Sequence, residues 1–154
     1  MSKLEIRFLH QLGEQIFDIH FSAPSKGIIA VLGRSGSGKT TLINVIAGLQ
    51  TPRSGIVKIE DSVMYDSELS INVPTYKRNL GYVFQDARLF PHLKVKPNLV
   101  YGMGKEDNDY FSQIIELLAL EPLLSRFPHQ LSGREKQRVS IGRALLSKPN
   151  LLLM

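Results

Sequence analysis

The stretch of residues 33–40 constrains this chain more than any other feature of its sequence. It reads Gly-Arg-Ser-Gly-Ser-Gly-Lys-Thr and matches the pattern G-x-x-x-x-G-K-[ST] in full. Its glycines let the backbone turn tightly and bring N–H groups close to an anion, and a helix that begins behind such a loop adds further N–H donors. We therefore predict a phosphate-binding loop. Its residues are Gly33, Arg34, Ser35, Gly36, Ser37, Gly38, Lys39, Thr40 and Thr41.

The charged and hydroxyl side chains of this loop have separate expected roles. Lys39 would bring a mobile positive charge to the β- and γ-phosphates of a nucleotide, and the hydroxyl of Thr40 could ligate Mg²⁺. Thr41 could add a further hydrogen bond to phosphate. The loop thus predicts binding of ATP together with Mg²⁺, with Lys39 also as a catalytic residue.

The sequence on both sides of the loop fits this prediction. Residues 28–32 form a continuous apolar, β-branched run of the kind found in buried parallel strands. In residues 39–47, Leu42, Val45 and Ile46 recur at helical spacing, and Gly48 suits a helix C-terminus. A strand, the loop and a helix are therefore expected in that order.

The remaining hydrophobic pattern predicts an α/β fold. Residues 4–8 and 16–21 alternate like half-buried strands on either side of a turn at Gly13. From about residue 96 to residue 127 the pattern becomes helical, and another helix follows Ser132. Further strands are expected at residues 56–59, 63–65, 80–84 and 151–154. We expect one domain, residues 1–154, with an N-terminal antiparallel β subdomain, a helical subdomain at about 96–130, and a mainly parallel core sheet at the loop.

Composition and charge exclude several other classes of protein. The chain of 154 residues has no cysteine, so disulfides and thiolate metal sites are excluded. No apolar run approaches the ~18 residues of a membrane span, and the alternating, charged N-terminal sequence is not that of a signal peptide. The net charge of +5 comes from scattered residues rather than from a run of like charges. We expect no membrane span and no nucleic-acid partner.

Three more segments narrow the class of phosphate-binding protein. Residues 81–86 read Gly-Tyr-Val-Phe-Gln-Asp, residues 131–138 read Leu-Ser-Gly-Arg-Glu-Lys-Gln-Arg, and residues 151–154 read Leu-Leu-Leu-Met. Ser132 and Glu135 also fit the S-x-x-E capping box of a helix start. Together with the phosphate loop, and in this order, the segments resemble the Walker A, Q-loop, signature and Walker B motifs of ABC-transporter ATPases.

This resemblance covers nearly the whole chain and implies roles for further residues. Gln85 would contact Mg²⁺ and the attacking water and would sense a transmembrane partner, which makes it a candidate catalytic and metal-binding residue. Ser132 and Gly133 would face the γ-phosphate held by a second, identical ATPase subunit. Two ATP molecules would thus be enclosed between two subunits.

Part of the chain is most similar to the molybdate-import branch of this family. The similar segments are residues 82–92, 98–103 and 121–124. The resemblance implies an ATP-hydrolysing subunit that energises uptake of molybdate or a related oxyanion, with a transmembrane permease and a second ATPase subunit as partners. It would lie at the cytoplasmic face of the inner membrane. A soluble ABC-type ATPase acting on DNA or ribosomes is disfavoured, because the sequence has no coiled-coil heptad stretch and no basic cluster.

Two departures from the family pattern bear on turnover. Arg134 stands where the family usually has a second glycine, so its side chain could obstruct the opposite γ-phosphate or pair with it. The sequence also ends at Met154, before the positions of the Walker B Asp, the catalytic Glu and the switch His. The expectation is a C-terminally incomplete domain with little or no hydrolysis, and the alternative is a truncated nucleotide-binding module without turnover. The residue that stacks on adenine stays open among Phe8, His10 and Phe17.

Overall fold

The computed structural model describes residues 3–104 and 107–154. The chain divides into two compact units, Met1–Arg78 and Asn79–Met154. The first unit contains an antiparallel sheet and the phosphate loop, and the second contains a short parallel sheet and most of the helices. This combination confirms the predicted α/β class, including its N-terminal antiparallel β subdomain.

The sheet of the first unit has five strands in the order β2-β1-β3-β4-β5, and every pair in it is antiparallel. Its β1–β2 hairpin closes through the pair Leu12↔Gln15, which leaves the predicted turn at Gly13 and the residue after it between the strands. Alternate side chains of β1 are buried, as the period of two predicts. The strands are β1 (Lys3–Leu12), β2 (Gln15–Pro24), β3 (Ser54–Ile59), β4 (Ser62–Asp66) and β5 (Ile71–Asn72).

Helix α1 follows the phosphate loop and has the bounds that the sequence predicts, Lys39–Ala47. Its buried side chains include Leu42, Val45 and Ile46, the three residues that carry the helical pattern. Gly48 ends the helix in the left-handed conformation, with φ 76°. The first unit also contains a 3-10 turn at Thr75–Lys77.

The predicted strand at residues 28–32 is wrong for this structure. These residues have no regular secondary structure and pair with no described strand, and Ile28 is 101% exposed and Leu32 91% exposed. An apolar run becomes a buried parallel strand only where neighbouring strands can take up its backbone hydrogen bonds. The strands of the first unit instead pair with one another in the antiparallel sheet. Parallel pairing among the described residues is therefore limited to the second unit, and the prediction of a parallel sheet at the loop also fails.

The second unit pairs β6 (Leu80–Tyr82) with β7 (Leu151–Leu153) in parallel. Its helices are α2 (Val95–Val100), α3 (Asn108–Leu117) and α4 (Gly133–Leu146), with 3-10 turns at Glu121–Leu123 and Pro128–Gln130. One apolar cluster joins them. Its buried members are Val95, Leu99, Ile114, Ile115, Leu120, Leu123, Leu131, Val139 and Leu146.

Close approach of α2 to α4 depends on Gly142. A Cβ atom at this position would lie 2.9 Å from a Leu99 methyl and 3.1 Å from a Leu120 methyl. The absence of a side chain at Gly142 therefore sets how tightly the two helices pack.

In the described part of the chain, none of the helices combines the length and the apolar character that a membrane crossing needs.

Candidate functional site

The phosphate loop lies at the N-terminus of α1 and is closed by the side chain of Lys39. The ammonium of Lys39 donates to the carbonyl oxygens of Gly33 and Arg34, each at 2.7 Å. The N–H of Ser37 donates to the Arg34 carbonyl at 3.2 Å, which turns the chain within the loop. Lys39 thus spans the loop from its last residues back to its first.

Gly38 is the position where the loop meets the sheet. Its φ of 91° is a left-handed conformation, and it forms the N-cap of α1. A Cβ atom there would lie 2.7 Å from the ring of Phe17 on β2. Any other residue at this position would strain the backbone and push the loop away from β2.

The hydroxyl residues after Lys39 have different surroundings. Thr40 is exposed on the first turn of α1, where its oxygen is open to a cation. Thr41 is only 6% exposed, so its side chain is covered within the first unit.

Among the three aromatic candidates for adenine, Phe8 is 1% exposed and belongs to the core, which removes it from consideration. His10 and Phe17 are half-buried.

The opposite end of α1 is held by a residue that the sequence did not single out. Arg78 is 2% exposed, and its guanidinium donates to the carbonyls of Val45 and Ile46 at 2.9 and 2.8 Å. It also donates to the Val73 carbonyl at 2.7 Å and to the Asn72 amide oxygen at 3.2 Å. A cation at a helix C-terminus is favourable because the last carbonyls carry partial negative charge. Burial lowers the pKa of Arg78.

In the second unit, Gln85 follows β6 on a loop. The Val83 N–H donates to the Leu153 carbonyl at 2.8 Å, which extends the parallel pairing just beyond β6. Gln85 itself is exposed. Arg88 has φ 44° and lies over the ring of Phe84, with 4.1 Å between the guanidinium carbon and the ring centroid. The loop therefore bends back so that its ends approach each other while Gln85 points outward.

The next segment is organised by the buried amide of Asn98 on α2. Its side-chain oxygen accepts the Phe90 N–H at 2.8 Å, and its nitrogen donates to the carbonyls of Phe90, Leu93 and Lys94 at 3.1, 2.9 and 3.1 Å. Asn98 is 0% exposed. It therefore fixes the loop that presents the exposed side chain of His92.

The predicted capping box at the start of α4 is confirmed. The Ser132 hydroxyl accepts the Glu135 N–H at 3.3 Å, and the Glu135 carboxylate accepts the Ser132 N–H at 2.7 Å. These hydrogen bonds lower the pKa of Glu135 below its usual range, and the bond to the Ser132 backbone has the larger effect. Ser132, Gly133 and Arg134 are all exposed, so the Ser132 O–H can still be donated to an anion.

A groove of about 280 Å³ runs along the second unit beside the Gln85 loop. Two aromatic pairs lie at it, Tyr82 with Phe84 at 4.2 Å and Phe90 with Tyr101 at 4.4 Å between ring centroids. The guanidinium of Arg143 lines it too. The walls of the groove are thus formed mainly by aromatic side chains, and a guanidinium gives it positive charge.

The side-chain oxygens that could act as metal ligands in the described residues are of the kind that Mg²⁺ prefers. Mg²⁺ takes oxygen ligands, keeps several waters, and commonly uses one or two protein groups together with phosphates. The exposed side chains of Thr40 and Gln85 each offer such an oxygen, one in each unit. No group of three or more His, Cys, Asp or Glu in the described ranges could hold a metal ion.

Comparison with known proteins gives consistent matches. A profile of the ABC transporter family matches residues 16–154. The molybdenum import ATP-binding protein ModC of Vibrio parahaemolyticus is 59% identical over 151 residues, which are 98% of this chain and 41% of that protein. The ModC of Vibrio vulnificus is 54% identical over 154 residues, with 100% and 42% covered. The chain thus spans about two fifths of the length of these curated relatives.

A solved structure shares the fold. It is an ATP-binding cassette in a dimeric, post-hydrolysis state bound to ADP and Pi, and it superposes with a TM-score of 0.68 at 30% identity. The superposition covers 99% of this chain and 72% of that one. Because the family profile matches far more than half of the sequence, the chain belongs to the ABC transporter family.

Proposed function

We propose that this chain binds ATP and Mg²⁺ as the nucleotide-binding part of an ABC importer that takes up molybdate or a related oxyanion. The observation that carries the proposal is the complete phosphate loop at the N-terminus of α1, with the Lys39 ammonium held across it at 2.7 Å from two carbonyls. An ammonium has three N–H donors. Two carbonyl partners leave one donor for a phosphate oxygen, and the loop amides supply others.

The proposed reaction of the full-length protein is attack of water on the γ-phosphate of ATP. Lys39 and the N–H groups of the loop stabilise the charge on the transferring phosphoryl group, which is the main task of the protein in such reactions. Thr40 would offer its hydroxyl oxygen to the cation, and the family resemblance alone assigns Gln85 to the cation as well. Bound Mg²⁺ supplies further neutralisation of the phosphate charge.

We assign the start of α4 to the nucleotide of a second, identical subunit. Ser132 has an O–H to donate while its oxygen caps the helix, and the exposed Gly133 has no side chain that could cover the first N–H groups of the helix. The dimeric cassette with ADP and Pi supports this arrangement by analogy. Both units of the chain would then belong to one nucleotide-binding domain, with the helical subdomain at about residues 96–130.

The permease partner is proposed to contact the second unit. The groove beside the Gln85 loop has aromatic walls and is lined by Arg88, which is exposed, and Arg143, which is half-buried; both features suit an amphipathic helix of a membrane protein. The relatives are molybdenum import proteins, which supports molybdenum as the imported element. The protein would therefore act at the cytoplasmic face of the inner membrane as a peripheral subunit.

Calorimetry with ATP and Mg²⁺ tests the nucleotide site. Lys39→Ala should weaken ATP binding at least ~10-fold, because a charge-assisted bond to phosphate contributes about 1.5–3 kcal/mol. Lys26→Ala is the control, since Lys26 is a lysine of the same unit that is exposed and lies outside the loop. Equal affinity in the Lys39→Ala variant and the unaltered chain would contradict the proposal.

The identity of the transported ion needs a separate measurement. Vesicles that contain the full-length protein assembled with its permease should take up molybdate in an ATP-dependent manner. Sulfate offered at the same concentration serves as the comparison. Uptake of sulfate in preference to molybdate would reject the molybdate assignment while leaving the nucleotide site intact.

A further inference from the structure

Helix α4 holds the Gln85 loop at both of its ends. On the side before Gln85, the Gln137 amide donates to the Phe84 carbonyl at 3.4 Å. On the side after it, the Arg143 guanidinium donates to the carbonyls of Ala87 and Arg88 at 3.3 and 3.0 Å. These contacts join parts of the chain more than 50 residues apart, and the three carbonyls bracket Gln85.

Arg143 is suited to this task by its surroundings. It is half-buried, and its guanidinium carbon lies 5.4 Å from the centroid of the Phe90 ring, which limits how far the side chain can move. Its planar set of N–H groups can serve two carbonyls at once. It therefore connects the helix to the loop through a side chain with little freedom of its own.

The same helix also begins at Ser132, the residue with the capping hydroxyl. A 14-residue helix transmits a displacement along its axis because its own hydrogen bonds keep it rigid. Whatever moves the residues 84–88 therefore also moves the start of α4, as long as Arg143 keeps its two bonds.

We propose that Arg143, assisted by Gln137, is a positioning residue that fixes the Gln85 loop to α4, so that Gln85 and Ser132 move as one body. The meaning of this link for turnover rests on the proposed function. Gln85 is assigned to the nucleotide of its own subunit and Ser132 to that of the partner subunit. Through Arg143, a displacement of Gln85 at the nucleotide of its own subunit would also displace Ser132 at the nucleotide of the partner subunit.

The helix offers a matched control in Arg138. Its guanidinium also donates to two consecutive carbonyls, those of Leu118 and Ala119 at 2.9 and 3.2 Å, but they lie at the end of α3. Arg138→Met therefore removes the same kind of interaction from the same helix without touching the Gln85 loop.

Pulsed electron paramagnetic resonance between two spin labels tests the proposal. Since the chain has no cysteine, Asp86→Cys and Arg134→Cys place one label beside Gln85 and one at the start of α4, both at exposed positions. The distribution of distances between the labels should be narrow in this background and in Arg138→Met. In Arg143→Met it should broaden about twofold, because the loop then opens independently of the helix.

A second variant keeps the test decisive if Arg143→Met does not fold. Arg143→Lys retains the charge and the aliphatic stem but cannot present a planar pair of N–H groups, so it should broaden the distribution less than Arg143→Met does. A narrow distribution in folded Arg143→Met, or in Arg143→Lys where that variant alone folds, would overturn the proposal. Equal broadening in Arg138→Met would overturn it too. The labels report without nucleotide, so this outcome is independent of whether ATP binds.

Discussion

The guanidinium of Arg78 donates a hydrogen bond to the carbonyl oxygen of Val45 at 2.9 Å, in the last turn of the helix that follows the phosphate loop. A second bond reaches the Ile46 carbonyl at 2.8 Å. The Val45 carbonyl also accepts the Gly48 N–H at 3.1 Å, so the buried guanidinium adds a second, charged donor at a helix end where the last carbonyls lack partners from the following turn. The free energy of unfolding of the first unit should depend strongly on this single residue.

We expect Arg78→Met to lower the free energy of unfolding by about 3 kcal/mol, because the Val45 and Ile46 carbonyls lose bonds from a charged donor in a buried position. Urea unfolding followed by circular dichroism measures the change. Lys77→Met is the control, since Lys77 is the exposed neighbour and its loss should change stability by less than about 0.5 kcal/mol. A loss below about 1 kcal/mol in Arg78→Met would show that water replaces the guanidinium at these carbonyls.

Gly142→Ala should destabilise the second unit by about 1 kcal/mol, since overpacking in a tight core costs about 1–3 kcal/mol and alanine regains nearly 1 kcal/mol of helix propensity. The new methyl would lie 2.9 Å from Leu99 on α2. Gly133→Ala on the same helix has no atom within 4 Å of its methyl and should be neutral or stabilising. The midpoint of thermal unfolding should therefore fall for Gly142→Ala and stay the same or rise for Gly133→Ala, and an equal fall in both variants would contradict the packing argument.

The capping box predicts a dependence of stability on acid. Since the pKa of Glu135 is lowered in the folded chain, its contribution is complete above its unfolded pKa and is lost as pH falls through the folded value. The melting temperature of Glu135→Gln should therefore fall less steeply than that of the unaltered chain below about pH 5. Glutamine can still accept the Ser132 N–H.

A second test of the same kind uses Asp107, whose pKa is also lowered, chiefly through its hydrogen bond from Lys148. Asp107→Asn removes a second acid-sensitive contact at the start of α3 and should flatten the same pH range independently. If the melting temperatures of Glu135→Gln and the unaltered chain depend on pH in the same way, the capping box makes no pH-dependent contribution to stability.

Contact with the permease should be detectable from the segment that Asn98 holds in place. A photo-cross-linking residue at the exposed positions Arg88 or His92 should give a covalent product with the membrane subunit in cells that express the full importer. The same residue at Asp61, in the β3–β4 turn of the first unit, is the control. Products from Asp61 but from neither test position would place the interface elsewhere on the chain.

Local features of this fold followed well from the sequence. The bounds of α1 and the capping box of Ser132 with Glu135 depend on residues within one or two helical turns, where periodicity and capping chemistry act directly. The hairpin turn at Gly13 is equally local. The phosphate loop could be recognised for the same reason, because the residues that build it are contiguous.

Features that depend on distant partners could not be read in this way. The apolar residues 28–32 have strand composition, yet a strand exists only where other strands complete its hydrogen bonds, and periodicity does not identify those strands. The same holds for Arg78 and Arg143. Each donates to carbonyls more than 30 residues away, and a carbonyl leaves no signature in the amino-acid sequence.

The two bonds of the Lys39 ammonium to the Gly33 and Arg34 carbonyls have a consequence for affinity. Because the third N–H can take a phosphate oxygen while both carbonyls stay bound, the side chain is already held in place before a nucleotide arrives. The rotational freedom of the lysine side chain is then lost in the empty loop rather than on binding. An ammonium arranged in advance in this way favours binding of the phosphate, since less ordering accompanies it.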